Sequence, residues 1–105
     1  MRVLLDECVP APLSRLLTGS VCRTVDHCGW KGLLNGALLR VAERDFDVFV
    51  TSDQNIRYQQ NLTGFQISIL ELSTNDYRRL RASAALVIDT VAKMPKGVVV
   101  RLDIP

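Results

Sequence analysis

Val3-Leu4-Leu5-Asp6-Glu7 is a short apolar run that ends in two acids, and Val48-Phe49-Val50-Thr51-Ser52-Asp53 repeats the pattern later in the chain. Unbroken runs of this kind suit strands buried on both faces, as in a parallel sheet. In open α/β sheets, ligands bind beyond the carboxyl ends of the strands. Asp6, Glu7 and Asp53 are therefore expected at the functional edge. Carboxylates gathered there, with no Gly-rich phosphate loop, suit a divalent cation such as Mg²⁺ or Mn²⁺. A nucleic-acid phosphodiester is then a natural substrate class.

The remaining sequence reads outward from these runs. Pro10 and Pro12 break the chain and open a helix of about two turns with Leu13, Leu16 and Leu17 on one face. Gly19-Ser20 ends it, and residues 21–25 form a second strand. A loop containing Gly29, Trp30 and Gly32 leads to Asn35, read as the N-cap of a helix whose apolar face holds Leu38, Leu39 and Ala42. Residues 48–51 make the third strand, and residues 53–62, rich in Asn and Gln, read as a loop plus a short helix. A fourth strand spans 66–72. Ser73, Thr74 or Asn75 is expected to cap a long helix over residues 76–93, with Leu80, Ala84, Val87, Val91 and Met94 as one buried stripe. Pro95 and Gly97 stop it, and residues 97–102 are the last strand. Strands alternating with helices predict a single domain over 1–105, a three-layer α/β/α fold around a mostly parallel sheet of about four to five strands.

Composition narrows the function classes. At 105 residues and 48% apolar content, the chain suffices for one ordinary α/β core. A formal charge of +2 does not announce a nucleic-acid binder, so any basic surface must be local. No uncharged apolar run reaches the ~18 residues of a membrane span. Arg2 leads directly into a strand, without the apolar stretch of a signal peptide. A cytoplasmic location and no membrane partner are expected. The three cysteines, Cys8, Cys22 and Cys28, lack a Cys-x-x-Cys spacing and predict neither a disulfide framework nor a zinc site. They read as small buried thiols, with His27 in a loop or at the surface.

Within the acidic group, consecutive strand residues point to opposite faces, so a regular strand cannot aim both Asp6 and Glu7 into one site. Asp6 is the favoured ligand, with Glu7 beside it. Glu43 follows Asn35 by about 12 Å of helix at 1.5 Å per residue, which places it, with Asp45 and Asp47, at the opposite end of the sheet. A competing reading makes Asp6 and Asp53 simple caps of loops or helix N-termini.

Leu4-Leu5-Asp6-Glu7, residues 35–42 (Asn-Gly-Ala-Leu-Leu-Arg-Val-Ala) and Val50-Thr51-Ser52-Asp53-Gln54-Asn55 together resemble the small PIN-like family, a family of unknown function related to PIN ribonucleases and toxins. The resemblance spans residues 2 to about 72 and rests on the strand-acid and Thr-x-Asp elements in their order and spacing. It implies a PIN-like fold and a Mg²⁺- or Mn²⁺-dependent endoribonuclease, typically the toxin of a toxin–antitoxin pair, with RNA and an antitoxin protein as partners. On this resemblance Asp6 is the first family acid, Glu7 the glutamate beside it, and Asp53 the acid after the third strand. Asn35 and Asn55 stand where relatives have aspartates, and Ala37 where an acid is common. Asparagine offers a carbonyl oxygen but no charge. One metal, held by Asp6 and Asp53, then fits better than two, with Asn35 and Asn55 orienting water or substrate.

Three further features have two readings each. Arg78, Arg79 and Arg81 would touch RNA phosphates or an acidic partner segment, or else form a solvated helix face offset by Asp76. Tyr58, just after Asp53, would stack on a base, or else its amide-rich neighbours satisfy a local turn. Trp30 is a loop anchor on the core or part of a binding rim. Two whole-protein alternatives stand beside the ribonuclease: an inactive PIN-like module that binds RNA, a protein or its own copy, and a receiver-like domain, which would need a lysine after a late strand.

Overall fold

Burial along each strand decides its place in the sheet. In a computed structural model of the chain, residues 1–56 and 64–105 are described. The segment 57–63, and with it Tyr58, lies outside them. In β1 (Arg2–Leu5) every residue after Arg2 is buried, and β3 (Val48–Thr51) and β4 (Ser68–Leu72) are buried throughout. By contrast, β2 (Val21–Thr24) and β5 (Val99–Leu102) alternate exposed and half-buried residues. The continuous apolar runs belong at the centre and the alternating ones at the edges. The order is β2-β1-β3-β4-β5, and each neighbouring pair is parallel.

Helices cover both faces, so the layers are α/β/α. One core joins Val3, Leu5, Val48, Val50, Leu70 and Leu72 of the sheet to Leu13 of α1 (Leu13–Leu16), Leu80 of α3 (Tyr77–Ala82), and Val87 and Val91 of α4 (Ala84–Lys93). The other joins Leu4, Phe49 and Ile69 to Leu38, Leu39 and Ala42 of α2 (Asn35–Ala42), with Phe46 and Ile56. Trp30 meets Phe46 edge to face at 6.0 Å and 81°, so it anchors its loop to this second core. Each fully buried Leu or Phe side chain contributes roughly 1.5–3 kcal/mol relative to exposure.

Local structure departs from the sequence reading at four points. The first helix is a single turn, Leu13–Leu16, where about two turns were expected. The long helix is kinked: Ser83 lies at φ −109°, ψ 21°, with its N–H shared among the carbonyls of Arg79, Leu80 and Arg81. The apolar stripe continues across the kink, which is why spacing alone read it as one helix. Its N-cap is Asp76, whose carboxylate accepts the Arg78 and Arg79 N–H groups, rather than Ser73, Thr74 or Asn75. Asn35 is the first residue of α2 instead of its cap, which is Leu34 in an extended conformation.

The amino ends of the strands hold the acids expected there. Asp47 accepts the Arg2 N–H at 2.8 Å, and Glu43 Oε1 accepts the Gln66 N–H at 2.9 Å. Before β5, Gly97 has φ 71°, and a Cβ there would come within 3.0 Å of the Phe65 carbonyl oxygen. That turn accepts glycine only.

Candidate functional site

The sheet reverses direction of winding between β1 and β3, where open α/β folds place their ligands. Register does the positioning. Leu5 pairs with Val50, Thr51 with Glu71, and Glu71 with Arg101, so Asp6, Thr51, Glu71 and Arg101 form one row across the carboxyl ends of four strands. Side chains in such a row share a face, here the face covered by α2.

Thr51 is the junction. It is fully buried, and its Oγ1 donates to Asp6 Oδ2 at 2.7 Å while accepting the Asp53 N–H at 3.1 Å. Asp6 Oδ1 accepts the Glu7 N–H at 2.8 Å, and Asp53 Oδ1 accepts the Asn55 N–H at 2.9 Å. Each acid thus braces its own turn, as the capping reading foresaw, and one hydroxyl ties the two turns together. Both acids are half-buried.

Glu7 turns elsewhere. Its Oε1 accepts the Gly32 N–H at 3.0 Å, holding the loop between β2 and α2. Asp6 and Glu7 both line a cleft of about 420 Å³, with Asp26 and Lys31 as its other charged lining and Val9, Pro10 and Val25 as apolar lining. Asn35 opens α2 and is half-buried, and Asn55 is exposed in the turn after Asp53.

Two groups at this edge were given no functional role from sequence. Cys8 is exposed rather than a buried thiol. Its Sγ lies 3.4 Å from both Asp6 Oδ2 and Thr51 Oγ1 and accepts the Ser52 N–H at 3.4 Å. Cys22 and Cys28 are half-buried, and burial pushes both thiols above their ordinary pKa. The second group is Glu71, fully buried and ion-paired with Arg101. The hydrogen bond from Arg101 to Glu71 holds the guanidinium pKa above its ordinary value. The one sequence signal for Glu71 is a charge inside the apolar run Ser68-Ile69-Leu70-Glu71-Leu72.

The arginines of α3 divide. Arg79 donates from Nε to the Pro105 carbonyl at 3.1 Å and from Nη2 to the Ile104 carbonyl at 2.6 Å, so it pins the last residues of the chain. Arg78 and Arg81 are exposed and line a shallow cleft with Asp76 and Pro105.

Among the described residues, no group of three or more His, Cys, Asp or Glu side chains is placed to hold a metal ion. A cation at this edge would rest on two carboxylates, Asp6 and Asp53, and keep most of its waters. That donor set fits one hard, partly hydrated dication of the Mg²⁺ type and is too poor in charge for a pair. No helix among the described residues is long and apolar enough to cross a membrane. Comparison with protein-family models, with curated proteins and with solved structures gave no significant match.

Proposed function

We propose that this chain is a PIN-like, metal-dependent endoribonuclease with a reduced acidic site, acting in the cytoplasm as the toxin of a toxin–antitoxin pair. The observation that carries the reading is the Thr51 junction, which sets Asp6 and the Asp53 turn side by side at the β1/β3 reversal. Asp6 and Asp53 would hold one Mg²⁺ or Mn²⁺ ion. Bound there, the ion supplies charge stabilisation on a phosphodiester and a bound water of lowered pKa. Glu7 assists by holding the Gly32 loop, whose Lys31 lines the cleft beside Asp6. Asn35 and Asn55 orient water or substrate, and Tyr58 stacks on a base. Arg78 and Arg81, with the neighbouring Arg79, contact RNA phosphates or an acidic antitoxin segment, and the chain could also pair with its own copy.

A second reading has a specific observation in its favour. Glu7 is committed to Gly32, Asn55 follows Asp53 in its turn, and the residue that opens α2 is the neutral Asn35, which leaves little charge for a cation. On that reading the chain is a non-catalytic PIN-like module that binds RNA or a protein. Thermal unfolding in millimolar Mn²⁺ against chelator separates the two. The ribonuclease reading expects a higher melting temperature with Mn²⁺, lost in Asp6→Asn. Identical melting curves favour the binding module.

A further inference from the structure

We propose that Glu71, acting through Arg101 and Gln54, is a positioning residue for the turn that carries Asp53. Glu71 is fully buried, yet it sits in a strand whose neighbours Ile69, Leu70 and Leu72 are all apolar. Its Oε2 pairs with Arg101 Nη1, and its Oε1 is the one buried side-chain polar atom without a partner among the described residues. A buried ion pair is rarely more stabilising than an apolar pair of the same volume, and an orphaned oxygen adds a further cost. Stability alone therefore gives no reason for this carboxylate. Its connections do.

Arg101 Nη1 also donates to Gln54 Oε1 at 2.7 Å. Gln54 Nε2 in turn donates to the carbonyls of Ser52 and Leu72, both at 2.9 Å. Gln54 is thus tied directly to β4 and β5, and it holds Ser52, on the other side of Asp53, through its own amide. The Asp53 turn closes on itself through the Ile56 N–H to the Asp53 carbonyl at 3.2 Å and the Asn55 N–H to Asp53 Oδ1 at 2.9 Å. The Arg101 side chain is one-third exposed, and its other partner, Asp103, is 83% exposed. Only the buried carboxylate fixes the guanidinium in the direction that meets Gln54, because a charge-assisted bond shielded from water holds its geometry best. This strut stands on its own geometry and goes beyond the ribonuclease reading.

The test needs neither metal nor RNA. Amide hydrogen exchange is followed in the wild type, in Gln54→Leu, and in the paired variant Glu71→Leu/Arg101→Leu. The strut predicts exchange about tenfold or more faster at Asn55 and Ile56 in both variants, with Val50 and Leu70 unchanged. The paired variant keeps an apolar fill, so a purely structural role would leave Asn55 and Ile56 protected as in the wild type. Wild-type protection at those two amides in either variant overturns the proposal. Should the paired variant not fold, Glu71→Gln takes its place, since it keeps the shape and removes the charge that fixes the guanidinium toward Gln54. A failure of Mn²⁺-dependent cleavage leaves this result untouched.

Discussion

Thr51 Oγ1 donates a 2.7 Å hydrogen bond to Asp6 Oδ2 across the β1/β3 boundary, and the same oxygen accepts the Asp53 N–H. Both acids that end apolar strands are thereby referred to one buried atom. Thr51→Val keeps the shape and removes that atom. It should cost about 1–3 kcal/mol in denaturant unfolding, because a half-buried carboxylate and a backbone N–H each lose a partner. Thr51→Ser should recover most of the loss. Equal stability of the valine and threonine proteins would show that the junction is incidental.

The Glu71–Arg101 pair predicts an asymmetry between single and paired substitutions. Arg101→Leu alone strands a buried carboxylate and should lower the melting temperature by more than about 5 °C. Adding Glu71→Leu removes the stranded charge and should return most of that loss. Scanning calorimetry of the three proteins decides it, and additive losses would contradict the buried pair.

Asp76 caps α3 with its carboxylate on the Arg78 and Arg79 N–H groups. Asp76→Ala should cost about 1 kcal/mol in chemical unfolding, and Asn75→Ala much less. The reverse order would restore Asn75 as the cap.

Cys22 and Cys28 have thiol pKa values raised by burial, so the folded state holds its proton more tightly than the unfolded one. Stability from this source is complete below the unfolded thiol pKa, about 8.5, and falls as pH rises through the folded value. Cys22→Ala should flatten the decline measured between neutral and alkaline pH. In a thiol-reagent titration at neutral pH, Cys8, the exposed one, should react well before Cys22 and Cys28.

The three layers were legible because burial on both faces demands unbroken apolar runs, and β1, β3 and β4 have them. All five strands fall within two residues of where the pattern put them. The placement of Glu43, Asp45 and Asp47 at the far end followed from helical rise alone. Glu71 was not legible, since its meaning depends on register: only when β5 pairs with β4 does Arg101 come opposite it. Cys8 was misread for a similar reason. A small thiol is usually buried, but here the turn after Asp6 leaves it outside, against Thr51 and Ser52. The kink at Ser83 left no mark on the spacing, because Leu80 and Val87 still reach the same core. The amides Asn35 and Asn55 were legible as residues, and the first turn of α2 and the turn after Asp53 carry them.

The central claim is that Asp6 and Asp53 support metal-assisted cleavage of RNA. The most direct measurement is the cleavage rate of a single-stranded RNA by the purified chain in Mn²⁺, wild type beside Asp6→Asn. The account predicts Mn²⁺-dependent cleavage that falls at least about a hundredfold in Asp6→Asn, since the amide withdraws one of only two carboxylate ligands. Equal rates for the two proteins would contradict it.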